Sequence, residues 1–200
     1  MAKLIFNFGP MNSRKSLDLL ATAYNFEEKD IPFLALKSSL DTRDEGVIKS
    51  RAGLERKCTL VTPEINIYEV VKQYNNILIV QGDKPLKWIL VDECQFLTED
   101  QVDQLSDIVD YLDITVMCYG LRTDFKSHLF PASKRLFEIA DTIEEIKSSC
   151  ECGKKAMINA RFDSEGNILT EGSQILVGGD DIYKPLCRKC WKDKIRKKNS

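Results

Sequence analysis

Short apolar runs alternate with stretches whose apolar residues recur at helical spacing over the first three quarters of the chain. Leu4–Phe8 is an apolar run closed by Gly9-Pro10, the form of a buried strand. Leu17, Leu20, Ala21 and Tyr24 then share one helical face, which predicts a helix over Ser16–Lys29. Ile31–Leu36, with Pro32 near its start, predicts a second strand. Lys37–Lys57 is polar and rich in Arg, Asp, Ser and Gly, and predicts one long loop. Glu64–Tyr74 suits a helix, Leu78–Val80 fits either helix or strand, and Gly82–Lys84 before Pro85 is a turn. Trp88–Val91 reads as a strand running straight into Asp92-Glu93. Thr98 and Gln101 have the spacing of a capping box and open a helix whose apolar face is Val102, Leu105 and Ile108. Ile114–Tyr119 is a buried strand ending at Gly120, Ser133–Ala140 a helix carrying Leu136 and Phe137, and Thr142–Lys147 the last strand of the sheet.

This alternation is the signature of an α/β domain with a mainly parallel sheet flanked by helices. Beyond Cys150 the pattern changes to paired cysteines, glycines and short β-prone runs. A boundary near Ser148 or Ser149 divides the chain into residues 1–148 and a small unit over 149–200.

Composition narrows the function classes. With 43% hydrophobic and 30% charged residues, the 200-residue chain is globular and can bury a core without disulfide staples. A formal charge of −2 provides no global field for nucleic acid or an anionic membrane, so neither is expected as a partner. The basic tail Lys192–Lys198 is read as a solvated terminus that frays. The N-terminus lacks the long apolar segment of a signal peptide, and no stretch is long and apolar enough to span a bilayer. The expected compartment is the cytoplasm, where thiols stay reduced.

Gly9-Pro10-Met11-Asn12-Ser13-Arg14-Lys15-Ser16 lies between a predicted strand and a predicted helix, the place of a P-loop, G-x-x-x-x-G-K-[ST]. Such a loop curls backbone N–H groups around phosphate oxygens at a helix N-terminus, whose dipole favours negative charge. Lys15 is placed to reach the β- and γ-phosphates of ATP, and the Ser16 hydroxyl to hold Mg2+. Arg14 stands where the motif has its second glycine. A non-glycine residue held there at positive φ costs about 1–3 kcal/mol. Three outcomes are open: Arg14 contacts phosphate, points away, or spoils the loop. Asp92-Glu93, at the end of an apolar strand, has the form of a Walker B segment, with Asp92 placed for magnesium and Glu93 for general base.

Seven cysteines are many for a reducing compartment. Cys150 and Cys152, and Cys187 and Cys190, form two close pairs separated by 34 residues, which suits tetrahedral zinc in a closed structural site. Cys94 and Cys118 lie in or beside apolar strands and read as core fillers, Cys58 has no identifiable partner, and His128 falls in a polar surface loop.

A P-loop, a strand-terminal Asp-Glu and a four-cysteine knuckle together resemble the type II thymidine kinases. The resemblance runs over nearly the whole chain, through Asp41-Thr42-Arg43, Ser50–Gly53, Val91–Phe96, Tyr119–Phe125 and Gly178–Tyr183. The C-x-C form of the first cysteine pair resembles the bacterial branch. It implies that Glu93 is the catalytic base for a nucleoside 5′-hydroxyl. Phe96, Leu121 and Phe125 would wall the thymine pocket, with Met11 near the base. Residues 153–186 would form a lasso over the nucleoside, in which Ile175, Val177 and Gly178 present backbone to the pyrimidine edge and Tyr183 packs on the nucleoside. Arg43 and Arg51 become candidates for anion contacts. The implied reaction is phosphorylation of thymidine, and of deoxyuridine, by ATP in nucleotide salvage. The implied assembly is a homotetramer.

Two other classes compete. One is a family member that binds nucleotide or nucleoside with impaired turnover, motivated by Arg14. The other is a zinc-bearing nucleic-acid ATPase, disfavoured because the sequence has no basic face with interleaved aromatics.

Overall fold

The structure is a computed structural model that describes residues 1–44, 46–174 and 183–198. Six strands form its main sheet: β1 (Leu4–Phe8), β2 (Phe33–Ser38), β5 (Thr59–Val61), β6 (Trp88–Asp92), β7 (Thr115–Gly120) and β8 (Thr142–Glu145). Their order is β5-β2-β6-β7-β1-β8, and each neighbouring pair is parallel. A parallel sheet needs crossovers, so helices cover both faces.

Alternation along each strand sorts side chains between two cores. Ile89 and Val91, Val116 and Cys118, and Leu4 and Phe6 point to one face. There they meet α2 (Ile67–Gln81), α3 (Glu99–Leu112) and α4 (Pro131–Ile139) through Val71, Val102, Leu105 and Leu136. Leu90, Ala35 and Tyr119 point to the other face, against Leu19, Leu20 and Ala23 of α1 (Lys15–Glu28). The helix ends have local causes. Thr98 and Gln101 form the full capping box at the start of α3. The Asn66 side chain accepts from the Glu69 N–H to open α2, and Gly82 at φ 81° closes it.

Several boundaries differ from the sequence expectation. The polar stretch 37–57 is not one loop: β2 runs on through Lys37 and Ser38, and β3 (Val47–Lys49) pairs antiparallel with β4 (Glu55–Lys57). The hairpin holds because Ile48, within a polar surround, is fully buried with Leu19 and Leu20 of α1. Helix α2 begins three residues after Glu64, at its Asn66 cap, and absorbs the ambiguous Leu78–Val80. Helix α4 begins at Pro131 instead of Ser133, since proline is favoured in the first helical turn.

The C-terminal residues form a second, three-stranded antiparallel sheet. Its centre is β9 (Ile158–Phe162), flanked by β10 (Ile168–Leu169) and β11 (Tyr183–Leu186). The basic tail is not frayed: Arg188–Lys198 is helix α5, because Trp191 and Ile195 pack on Phe162 and Ile168 beside the cysteines. Among the described residues no helix is long and apolar enough to cross a membrane.

Candidate active site

Four loops leave the carboxyl ends of β1, β2, β6 and β7 at one edge of the main sheet, where open α/β sheets bind ligands. The first carries Gly9–Ser16, the P-loop-like sequence. Gly9 starts it where a side chain has no room: a Cβ would stand 2.3 Å from the Ile146 carbonyl oxygen and 2.4 Å from Ser13 Oγ. Arg14 adopts φ 70°, ψ 14°, so the left-handed turn that glycine supplies in the motif survives with arginine in its place. Its side chain is exposed at the mouth of the cavity. An Arg14 that spoils the loop therefore finds no support. Lys15 opens α1, and its buried ammonium donates to the Pro10 carbonyl at 2.9 Å. Burial lowers the Lys15 pKa, opposed by the charges of Glu93 and Asp92.

The second and third loops bring charge to this lysine. Ser16 Oγ donates to Asp92 Oδ2 at 3.1 Å. Burial, then the neighbouring charge of Glu93, pushes the Asp92 carboxyl up to about 7. Glu93 sits at φ 50°, which turns it off the strand axis of β6. Its Oε1 accepts from Arg43 Nη2 at 2.9 Å and its Oε2 from Gln95 Nε2 at 2.5 Å. Arg43 Nε also donates to Asp41 Oδ1 at 2.7 Å, and buried Asp41 pairs with buried Lys37 at 3.1 Å. Lys37, Asp41, Arg43 and Glu93 thus form a chain of alternating charge. Desolvation of Arg43 is outweighed by its two carboxylate partners, so its pKa is raised.

Gln95 joins this acidic centre to the fourth loop, since its Oε1 accepts from the Leu121 N–H at 2.9 Å. Gly120 is required there, because a Cβ would lie 2.5 Å from Cys94 Sγ and 2.7 Å from Gln95 Oε1. Asp124 then ties the loop on itself, its Oδ1 accepting from the Lys126 and His128 N–H groups, each at 2.9 Å.

These loops enclose a cavity of about 660 Å³. Its lining combines the charged and hydroxyl groups of Lys15, Ser16, Arg43, Asp92 and Glu93 with Phe96, Leu121, Phe125, Phe130, Asn159 and Tyr183. Phe96 stands edge-on to Phe130 with centroids 6.0 Å apart. Of the residues singled out from sequence, Met11 through Ser16, Asp92, Glu93, Phe96, Leu121, Phe125 and Tyr183 line this one cavity, as does Arg51. Gly9 and Pro10 shape the loop behind it. Ile175, Val177 and Gly178 lie outside the described residues. His128 is exposed, and Cys94 and Cys118 are buried in the core.

Two residues of the C-terminal sheet bear on the site, Asn159 in its lining and Arg161 packed on Phe125 behind it, and sequence reasoning missed the first. Asn159 on β9 is buried; its Oδ1 accepts from the Met11 N–H at 2.7 Å and its Nδ2 donates to the Thr123 carbonyl at 3.3 Å. Nothing in the run Ile158–Phe162 marks this asparagine, because its partners are backbone groups distant in sequence. Arg161, two positions on, lies over the Phe125 ring with its guanidinium carbon 3.9 Å from the centroid.

The four C-terminal cysteines converge, with all sulfurs within 4.8 Å of one another. Cys150 and Cys187 are buried, and the Cys190 N–H donates to Cys187 Sγ at 3.4 Å. That donor lowers the Cys187 thiol to about 7, while a hydrogen bond shared with Cys152 pushes Cys190 up to about 12. Four sulfurs in one tight cluster, with one thiolate already favoured, fit a tetrahedral zinc site with cysteine at every corner.

The thymidine kinase family model matches residues 2–191. The thymidine kinase of Enterobacteria phage T4 is 43% identical over 198 residues, covering 98% of this chain and 99% of that one. The thymidine kinase of Shouchella clausii is 45% identical over 192 residues, 95% of this chain and 96% of its own. That of Pasteurella multocida is 42% identical over 196 residues, 98% and 99% of the two chains. With residues 11–16, the paired acids and the aromatic side chains lining one cavity, the chain belongs to the thymidine kinase family.

Proposed function

We propose that the protein transfers the γ-phosphoryl group of ATP to the 5′-hydroxyl of thymidine, and of deoxyuridine, in nucleotide salvage. The observation that carries this is Glu93: one carboxylate, held by Arg43 and Gln95, shares a cavity lining with residues 11–16 and with Phe96 and Phe125. ATP places its phosphates on the N–H groups of residues 11–16 and on Lys15, which exchanges the Pro10 carbonyl for phosphate oxygen. Ser16 and Asp92 are the residues to hold Mg2+, which neutralises charge on the phosphate oxygens when bound. The base of the nucleoside lies by Phe96, Leu121 and Phe125, flat rings offering stacking area, with Met11 beside it and Tyr183 on the sugar side.

Glu93 accepts the proton of the 5′-hydroxyl as that oxygen bonds to the γ-phosphorus. The bond from the γ-phosphorus to the β–γ bridging oxygen breaks, and ADP leaves. For this the Arg43 guanidinium moves from Glu93 to the phosphoryl oxygens, where its charge stabilises the transition state. The left-handed turn at Arg14 supports a competent loop, not the impaired one that its missing glycine first brings to mind.

A structural Zn2+ on Cys150, Cys152, Cys187 and Cys190 would fix both ends of the segment 153–186, the lasso of the proposed nucleoside site, and with it a C-terminal unit beginning near Ser149. Residues Ile175, Val177 and Gly178 of that segment are proposed to read the pyrimidine edge. A cytoplasmic homotetramer that does not engage nucleic acid or membranes completes the proposal, and light scattering that returned monomers would remove its assembly part. The direct test is steady-state turnover of ATP, Mg2+ and thymidine beside Glu93→Gln; a zinc-replete wild type without turnover would defeat it.

A further inference from the structure

We infer that Arg161 is a positioning residue for the nucleoside end of the cavity. It fastens the backbone of residues 171–173 to the ring of Phe125, and so sets where the base rests. This depends on the assignment of the cavity to a nucleoside.

Arg161 projects from β9 and is only 5% exposed, and Phe125 beneath it is 1% exposed. Its planar group covers the ring at 3.9 Å. The same guanidinium reaches outward to the chain that follows β10: Nη1 donates to the Ser173 carbonyl and Nη2 to the Glu171 carbonyl, both at 3.0 Å. Between these carbonyls Gly172 takes φ 123°, and a Cβ there would stand 2.2 Å from Arg161 Nη2. The glycine therefore admits the guanidinium, and the guanidinium spans two carbonyls that a glycine turn presents side by side. A second tie lies next to it, where Gln174 Nε2 donates to Asp124 Oδ2 at 3.1 Å, one residue before Phe125.

Four features thus converge on one link: a buried cation, an aromatic face, a paired set of carbonyls and a glycine without room for a side chain. A fork with several donors in one plane is needed, since a lysine ammonium cannot stack on the ring and bridge both carbonyls. Arg161 is not among the residues lining the cavity, so it acts through Phe125 and the 171–173 backbone.

The test uses full-length, zinc-loaded protein and three variants, Arg161→Lys, Arg161→Gln and Gly172→Ala. The expected result for each is a thymidine KM raised about tenfold or more, as loss of a charged hydrogen bond entails, with the ATP KM within about twofold. The double variant Arg161→Gln with Gly172→Ala should be no worse than the poorer single variant, because both break one link. Thymidine binding by calorimetry, zinc content and ATP binding are read on the same samples. If the variants keep the wild-type thymidine KM, or if ATP and thymidine KM rise together, the positioning role is overturned while the nucleoside assignment stands. If wild type itself neither binds nor phosphorylates thymidine, the nucleoside assignment fails and takes this inference with it.

Discussion

Arg43 donates to Glu93 at 2.9 Å while the same guanidinium donates to Asp41 at 2.7 Å. The carboxylate proposed as base is therefore covered on one oxygen by a cation, which the proposed step moves to the phosphoryl group. Glu93→Gln should retain folding and thymidine binding but lose about 10²–10⁴ in kcat, the usual worth of a positioned base. Arg43→Gln unmasks Glu93 yet removes the donor proposed for the phosphoryl group, and a loss of about 10²–10³ in kcat is expected. Single-turnover assays on both variants check this, and a faster Arg43→Gln enzyme would mean that the masking matters and the phosphoryl contact does not.

Arg14→Gly replaces a left-handed arginine, at φ 70°, with the residue that takes this conformation without strain. The variant should be more stable by about 1 kcal/mol. Its turnover should stay within a few-fold of wild type, because the loop shape is already in place. Urea denaturation and the kinase assay, run on one preparation, read both quantities.

The Asp92 carboxyl titrates near 7 in the folded protein and at the ordinary 3.8 when unfolded. The folded state thus holds this proton more tightly. Below about pH 4 both states are protonated and the contribution to stability is complete. As pH rises towards 7 the unfolded state ionises first, and the contribution is lost; above 7 it stays lost. Read beside wild type on zinc-loaded, magnesium-free protein, Asp92→Asn should lack this descending limb in melting temperature against pH, and with magnesium restored it should show no activity. A variant with the wild-type slope would place the titration elsewhere.

The sulfur cluster predicts about one zinc per chain by elemental analysis. Chelation, or Cys187→Ser, should loosen β9 and β11 more than the six-stranded sheet, because Cys150 and Cys187 belong to the small C-terminal core with Phe162 and Leu186. Hydrogen exchange should show faster amides in 150–162 and 183–190 than in β1 or β6. Uniform change across both sheets would refute a local role for the metal.

Local signals in the chain are strong wherever the cause is local. Leu4–Phe8 is a strand because it is an apolar run stopped by Gly9-Pro10, and the Thr98–Gln101 box needs only neighbouring residues. The acids at the end of β6 are equally legible, since a polar pair after a buried strand has few places to go. The hairpin β3–β4 is not: Ile48 is buried by α1 and Arg56 lies over the Phe33 ring, both contacts made across the fold. Asn159 is invisible for the same reason, as its acceptor and donor serve Met11 and Thr123, far along the chain. The tail misleads because charge dominates its composition, although Trp191 and Ile195 suffice to seat it.

Asn159 also bears on how far the molecule can be taken apart. The Met11 amide, within the loop of residues 9–16, is satisfied from the second sheet at 2.7 Å. A fragment ending at Ser148 would keep every residue of the proposed ATP end and still leave that amide without its acceptor. The loop proposed for nucleotide and the cysteine-bearing sheet are thus joined through one buried side chain, and neither part produced alone should turn over substrate, even where it folds.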